Sequence, residues 1–341
     1  MDTLPESTPE EETVEPLFLP KPSLISRYKN IFFAICGSLL ALILVFYIAV
    51  WRTPTDFPVD TIVSVNRGES LEEITQKFAS LRLIRSPFAF RSLVILLGGE
   101  KKVTAGDYLM TNKESPLTLA WRIIEGRLGM EPIKVTIPEG LNVSEISGIL
   151  GKKLALFDAE LFLREAKDKE GYLFPDTYFL PPTAKPVDVI LKMQKNFDEK
   201  MRSVETDIEK FGKPFDEVLI MASILEGEAK DTESRKIVAG ILWKRISIGM
   251  PLQVDATFKY INGKDSSNLT LDDLKMDNAY NTYTNRGLPP TPINNPGLDA
   301  LLAAVTPTKT EYLYFLTGND GKMYYAKTFE QHKVNKQKYL R

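Results

Sequence analysis

The sequence predicts an α+β protein carried on one membrane-spanning helix. Three observations predict it: an uncharged 21-residue run near the N-terminus, a strand–turn–helix pattern that occurs twice, and a later region that mixes helical stretches with one hairpin signal. The expected order is a disordered tail (1–29), a transmembrane helix (30–52) and a short stalk (53–60). A repeat region (61–150) and a mixed α/β domain (151–341) then follow.

The uncharged run is "IFFAICGSLLALILVFYIAVW", Ile31 to Trp51. As a helix it measures about 31 Å, close to the thickness of a bilayer's hydrocarbon core. It exceeds the core of a signal peptide, and no Ala-x-Ala cleavage site follows. Lys21, Arg27 and Lys29 precede it and only Arg52 follows closely, which places the N-terminus in the cytoplasm and residues 52–341 outside. Tyr47 and Trp51 suit the outer interface. The tail is rich in Pro, Glu, Ser and Thr and cannot form a core.

The repeat pairs "VSVNRGESLEEI" (63–74) with "VTIPEGLNVSEI" (135–146) at an offset of 72 residues. Val63 aligns with Val135, Val65 with Ile137, Gly68 with Gly140, Glu73 with Glu145 and Ile74 with Ile146. Each copy alternates like a strand, turns at Gly, and becomes helical after a cap at Ser70 or Asn142. Such a unit serves as scaffold or as a grip for an extended polymer. Between the copies, "KVTAGDYLM" and "PLTLAWRIIEGRL" read as strand and helix. Beyond them, 158–168 reads as helix, 170–182 as an irregular aromatic segment, and 186–209 as one long helix closed by Gly212. Pro214 opens the next helix. Another runs from Asp231 or Thr232 to Ile248 with Ile237, Val238, Ile241 and Leu242 inward. A helix starting at Pro296, a hairpin at Gly318–Gly321 and a terminal helix from Phe329 complete the chain.

Composition excludes several chemistries. Net charge is −2, and outside residues 1–30 the chain keeps 40 of its 43 bases and 39 of its 45 acids, so it lacks the basic excess of a nucleic-acid binder. One cysteine (Cys36) and one histidine (His332) are too few for a zinc site and nearly exclude Ser-His-Asp or Cys-His chemistry. Neither a metal nor a cofactor is expected, and His332 reads as a packing residue. Chemistry therefore falls to carboxylates, hydroxyls, amides and aromatics.

"MASILEGEAK" (221–230) carries an apolar helix into two acids, Glu226 and Glu228. Two positions apart, they point about 200° from each other and cannot flank one bond. Glu226 continues the apolar row Phe215, Leu219, Ala222, and an apolar seat would raise its pKa toward that of a general acid. The structural alternative is an ion pair with Lys230, Arg235 or Lys236. "EGYLFPDTY" adds Tyr172 and Asp176, "LQVD" adds Gln253 and Asp255, and "AYNTY" adds Tyr280, Asn281, Thr282 and Tyr283. Aromatic faces among amides and carboxylates suit a sugar polymer.

The ordered set "EGYLFPDTY…ASILEGE…LQVDATFKY…AYNTYTNRGLPPTPINNPG…KTFEQHKVNKQKYL" resembles the YceG-like family of endolytic murein transglycosylases (MltG) from the span to the C-terminus. The resemblance implies a LysM-like repeat region and a catalytic domain outside the cytoplasm. It also implies cleavage of MurNAc–GlcNAc β-1,4 bonds within peptidoglycan strands to 1,6-anhydroMurNAc ends, without water, and peptidoglycan synthases as candidate partners. It makes Glu226 the catalytic acid, and Glu228, Gln253, Asp255 and the Tyr280–Tyr283 run cleft residues. Two positions depart from the family: Gly227, expected to loosen the helix at the acid, and Thr291, expected to alter loop shape. A water-using hydrolase with Asp255, Asp176 or Glu228 as second carboxylate is one rival. A non-catalytic membrane-tethered scaffold that binds peptidoglycan is the other.

Overall fold

The computed structural model describes residues 24–50 and 52–340; most of the expected tail lies outside the described residues. The chain divides into two compact units, residues 1–129 and 130–341.

The first unit begins with α1 (Leu24–Val50), which takes in the last residues of the expected tail. Its stretch Ile31–Ile48 is long and apolar enough to cross a membrane, and none of it is buried in protein. β1 (Thr61–Val65), α2 (Leu71–Ser80), α3 (Pro87–Leu96), β2 (Gly106–Met110) and α4 (Pro116–Glu125) follow. β1 and β2 pair antiparallel, with Val63 opposite Tyr108. Val63, Val65, Ile74, Phe78, Phe90, Tyr108 and Ile123 fill the core between this ribbon and the helices.

The second unit repeats the opening move. β3 (Ile133–Thr136) leads through Gly140 into α5 (Val143–Lys153), then α6 (Ala159–Glu165) and β4 (Thr177–Leu180). β4 pairs antiparallel with β3, so part of the segment expected to be irregular is a strand. Both repeat copies turn through a left-handed glycine, Gly68 at φ 82° and Gly140 at φ 76°, a backbone that a Cβ would strain. Ser70 and Asn142 each cap their helix in a reciprocal box with Glu73 and Glu145. The aligned apolar residues Val63, Val65, Val135, Ile137, Ile74 and Ile146 are all buried.

The expected long helix is two, α7 (Pro186–Met201) and α8 (Glu205–Phe211), broken where Val204 turns inward; Gly212 ends the second in the left-handed region. Next come α9 (Phe215–Glu228), α10 (Thr232–Ser247), α11 (Ala256–Asn262) and α12 (Leu298–Val305). Every residue of α9 from Val218 to Leu225 is buried, against α10, α11 and α12. Burying a large aliphatic side chain is worth about 1.5–3 kcal/mol, so this stretch contributes a substantial share of the unit's hydrophobic stability. On α10, Val238, Ile241 and Leu242 point inward as expected, joined by Ala239 and Trp243, while Ile237 is half-buried. The hairpin β5 (Tyr314–Thr317) and β6 (Met323–Ala326) and the helix α13 (Phe329–Tyr339) end the described chain. His332 stacks on Tyr314, ring centres 5.4 Å apart.

One tie fixes the second turn. Gly140 N–H donates to the Asn295 carbonyl, and Asn295 N–H to the Leu141 carbonyl, both at 3.0 Å. The Asn295 side chain accepts from Leu173 N–H (2.8 Å) and donates to Glu170 Oε1 (2.9 Å). Glu170, 7% exposed, also accepts from Val143 N–H at 3.2 Å. Loss of water pushes Glu170 up to about 7, against the pull of Val143 N–H. A carboxyl held near 7 rather than 4.5 costs the fold on the order of 3 kcal/mol once ionised. That stability is fully present below pH 4.5 and is lost as pH rises through about 7. Glu170→Gln keeps an acceptor for both donors and should remove this part of the fall. Denaturant melts of both proteins at pH 4.5 and 8 measure it; an equal fall in the two proteins would contradict the assignment.

Candidate active site

The end of α9 brings Glu226 into a polar enclosure rather than the apolar seat expected from its helical row. Its side chain is 6% exposed. Oε1 accepts from Arg235 Nη2 at 2.6 Å, and Oε2 accepts from Gly297 N–H, the N-cap of α12, at 2.9 Å. The ion-pair alternative is therefore realised through Arg235. The guanidinium is itself 8% exposed, and each of its three nitrogens donates a hydrogen bond. Nη1 binds Asp299 Oδ2 at 2.6 Å and Nε binds the Ala229 carbonyl at 3.0 Å. Asp299 Oδ1 accepts from the Thr232 hydroxyl at 2.7 Å.

Two further groups close around this carboxyl. A Cβ on Gly140 would stand 3.2 Å from Glu226 Cγ, so the turn of the second repeat copy forms one wall. Glu139, exposed, lies over Gly297, where a Cβ would come within 1.9 Å of its Oε1. Burial pushes Glu226 above the usual carboxylate range. Gly297 N–H and Arg235 pull it down, and the charges of Glu139 and Asp299 push it up again. Burial and the two neighbouring acids outweigh the pair with Arg235, because Asp299 already neutralises much of that cation.

Glu228 turns to different partners, as two-residue spacing requires. Its Oε1 accepts from Ala256 N–H at 3.1 Å. Burial of the carboxyl pushes it up to about 7 against that bond, with Asp255 adding an upward and Arg245 a downward push. Asp255 accepts from the Tyr283 hydroxyl at 2.5 Å. Burial, then this bond, raises the Tyr283 phenol. Gly227 does not loosen α9: a Cβ there would meet Ala256 Cβ at 2.8 Å, so its absence lets α11 start against the acid-bearing turn.

The remaining expected residues divide. Gln253 is exposed and holds a left-handed φ of 51°, a costly backbone for a residue with a Cβ. Its N–H binds the Thr282 carbonyl at 3.0 Å. Thr282 and Asn281 are buried braces rather than cleft residues. The Thr282 hydroxyl accepts from Val254 N–H, and Asn281 Nδ2 donates to the Leu274 and Met276 carbonyls. Tyr280 is half-buried, packed on Tyr260 and bonded to the Thr291 hydroxyl at 2.8 Å, so Thr291 ties the loop to Tyr280. Tyr172 lies at the opposite end of α9, its hydroxyl bound to Asp216 at 3.0 Å. Ten residues of helix separate Asp216 from Glu226, about 15 Å. Asp176 accepts from Asn196 and is held below the ordinary range by that bond and by Thr177 N–H, which outweigh its partial burial.

Sequence reading missed Glu139, Gly297 and Asp299 as site residues. A signal for Glu139 existed: the repeat copies differ at this turn position, Arg67 in the first and Glu139 in the second. Among the described residues no group of three or more His, Cys, Asp or Glu could hold a metal ion.

The chain is similar to several known proteins. The chain is 29% identical over 316 residues to the endolytic murein transglycosylase of Bacillus subtilis, covering 84% of this chain and 87% of the relative. It is 28% identical over 315 residues to the endolytic murein transglycosylase of Streptococcus pneumoniae, covering 80% of this chain and 57% of that longer protein. A crystal structure of a yceG-like protein from Listeria monocytogenes matches with a TM-score of 0.55 and 27% identity, over 80% of this chain and 98% of the other. The model of the YceG-like family matches residues 63–338, and the chain belongs to that family.

Proposed function

We propose that this protein is a membrane-anchored endolytic lytic transglycosylase of peptidoglycan, with Glu226 as its acid and base. The observation that carries this reading is a buried carboxyl with support for both of its protonation states. Burial, Glu139 and Asp299 favour the proton; Arg235 and Gly297 N–H stabilise the anion left when the proton departs. Such a group can give a proton and take one back within one turnover.

Protonated Glu226 donates to the glycosidic oxygen as the MurNAc–GlcNAc β-1,4 bond breaks. The sugar's own 6-hydroxyl closes on the anomeric carbon and returns its proton to Glu226. An internal nucleophile needs neither water nor a second carboxylate. The product strand ends in 1,6-anhydroMurNAc, which limits elongation of nascent strands. In this reading α1 spans the membrane with the N-terminus in the cytoplasm, and residues 53–341 face the wall. The first strand–turn–helix copy acts as a LysM-like glycan grip, the second is built into a catalytic domain that spans 130–341, and wall synthases are candidate partners. Glu228, Asp255, Gln253, Tyr280 and Tyr283 line the substrate path.

Mass spectrometry of uncrosslinked glycan strands digested by the full chain and by Glu226→Gln tests the reaction. Anhydro ends from the unaltered protein alone are expected, with the variant reduced by at least about 10²-fold. Fragments heavier by one water would point instead to a hydrolase, with Glu139 the carboxylate to suspect. The proton balance has its own test. Asp299→Asn leaves the Arg235 charge to Glu226 alone and lowers its pKa, so the alkaline limb of kcat/KM should move to lower pH. Glu139→Gln should move it the same way. An unmoved limb in both variants would remove these groups from the account.

A further inference from the structure

The first unit carries an apolar stripe that none of the described residues covers. On α3, Phe90 and Val94 face the core, whereas Phe88 is 78%, Ile95 39% and Leu96 83% exposed. Spacings of seven and eight residues put Phe88, Ile95 and Leu96 on one side of the helix. Residues 82–102 around it hold Arg82, Arg85, Arg91, Lys101 and Lys102 against the single acid Glu100. An apolar helical face bordered by cations is the composition of a helix that lies on an anionic lipid surface.

The chain leading into the unit sets where that surface is. α1 ends at Val50, two residues beyond its apolar stretch. The unit takes hold of the chain again at Thr53, whose hydroxyl donates to the Glu114 carbonyl at 2.8 Å. Lys113 Nζ then holds the Thr55 carbonyl at 2.7 Å, Phe57 is buried, and Asp56 pairs with Arg82, five residues before α3. Three Cα steps separate Val50 from Thr53, at most about 11 Å. A unit held this closely to the end of a span cannot stand clear of the bilayer. α3 is also an element of the unit that comes alongside α1.

We infer that α3 is a second membrane contact, lying in the interface with Phe88, Ile95 and Leu96 among the lipids. The inference rests on α1 being a span and adds to it. One helix alone would let the unit pivot on its short tether, and a second contact fixes its orientation on the membrane.

The test uses the full chain with Cys36→Ser and a single new cysteine at Phe88, Leu96 or Leu271. Leu271 is 75% exposed and lies in the other unit. Each variant is labelled with an environment-sensitive fluorophore and reconstituted in vesicles of phosphatidylcholine and phosphatidylglycerol, with or without nitroxide-bearing acyl chains. Labels at 88 and 96 should be quenched several-fold more than the label at 271. Equal quenching at all three positions, from protein that floats with the vesicles, overturns the inference and leaves the span standing. Weak quenching at 88 and 96 that varies with the protein-to-lipid ratio would mean a second copy covers the stripe, and also overturns it. A chain that fails to float with vesicles removes the span and this inference together.

Discussion

Desolvation of a carboxyl is the constraint around which much of the second unit is arranged. Val218 to Leu225 are buried against α10, α11 and α12, and Glu226 and Glu228 follow them directly with their carboxyls largely removed from water, although Gly227 between them is exposed. Each carboxyl must find a donor there or remain protonated. The two solutions differ. Glu226 meets a guanidinium and a helix N-cap, while Glu228 meets the N–H that opens α11.

Arg235 makes the first solution reversible. A buried carboxylate paired with its own private arginine would stay ionised, since the pair offsets the loss of water for the charged form. Here the cation is shared with Asp299, and Glu139 adds another negative neighbour. Three acids around one base leave room for a proton, and Glu226 is the buried member placed to hold it. When the proton leaves, Arg235 and Gly297 N–H are already in position, so little reorganisation accompanies the change of charge.

The repeat shows how one local code acquires two uses. Both copies form a strand, a left-handed glycine and a boxed helix cap, and the glycine turn and the cap depend on neighbours within twelve residues. Only the second copy reaches the site. Asn295 pairs with the Gly140 N–H and the Leu141 carbonyl and joins them to Glu170 and Leu173. Glu139 then sits over Gly297, where the equivalent residue of the first copy is Arg67. Thr291 ties its own loop back in a similar way, through a bond to Tyr280.

The sequence by itself determined what short-range physics determines. Hydropathy marked α1, period and caps marked the two strand–turn–helix units, and the spacing of Glu226 and Glu228 ruled out their acting as a pair. Family motifs singled out Glu226. Local signals failed where distant packing decided: Val204 broke the expected long helix, and β4 formed in an aromatic stretch because β3 offered it a partner. The surroundings of Glu226 were decided only in three dimensions. Helical spacing foresaw an apolar seat, but Arg235, Gly297, Asp299 and Glu139 come from three other segments, up to 87 residues away in the chain. Asn281, Thr282 and Tyr172, grouped with the site by composition, were placed as braces or at the far end of α9 for the same reason. A carboxyl's proton affinity is set by the charges and dipoles within a few ångströms of it, and their identity is a property of the fold.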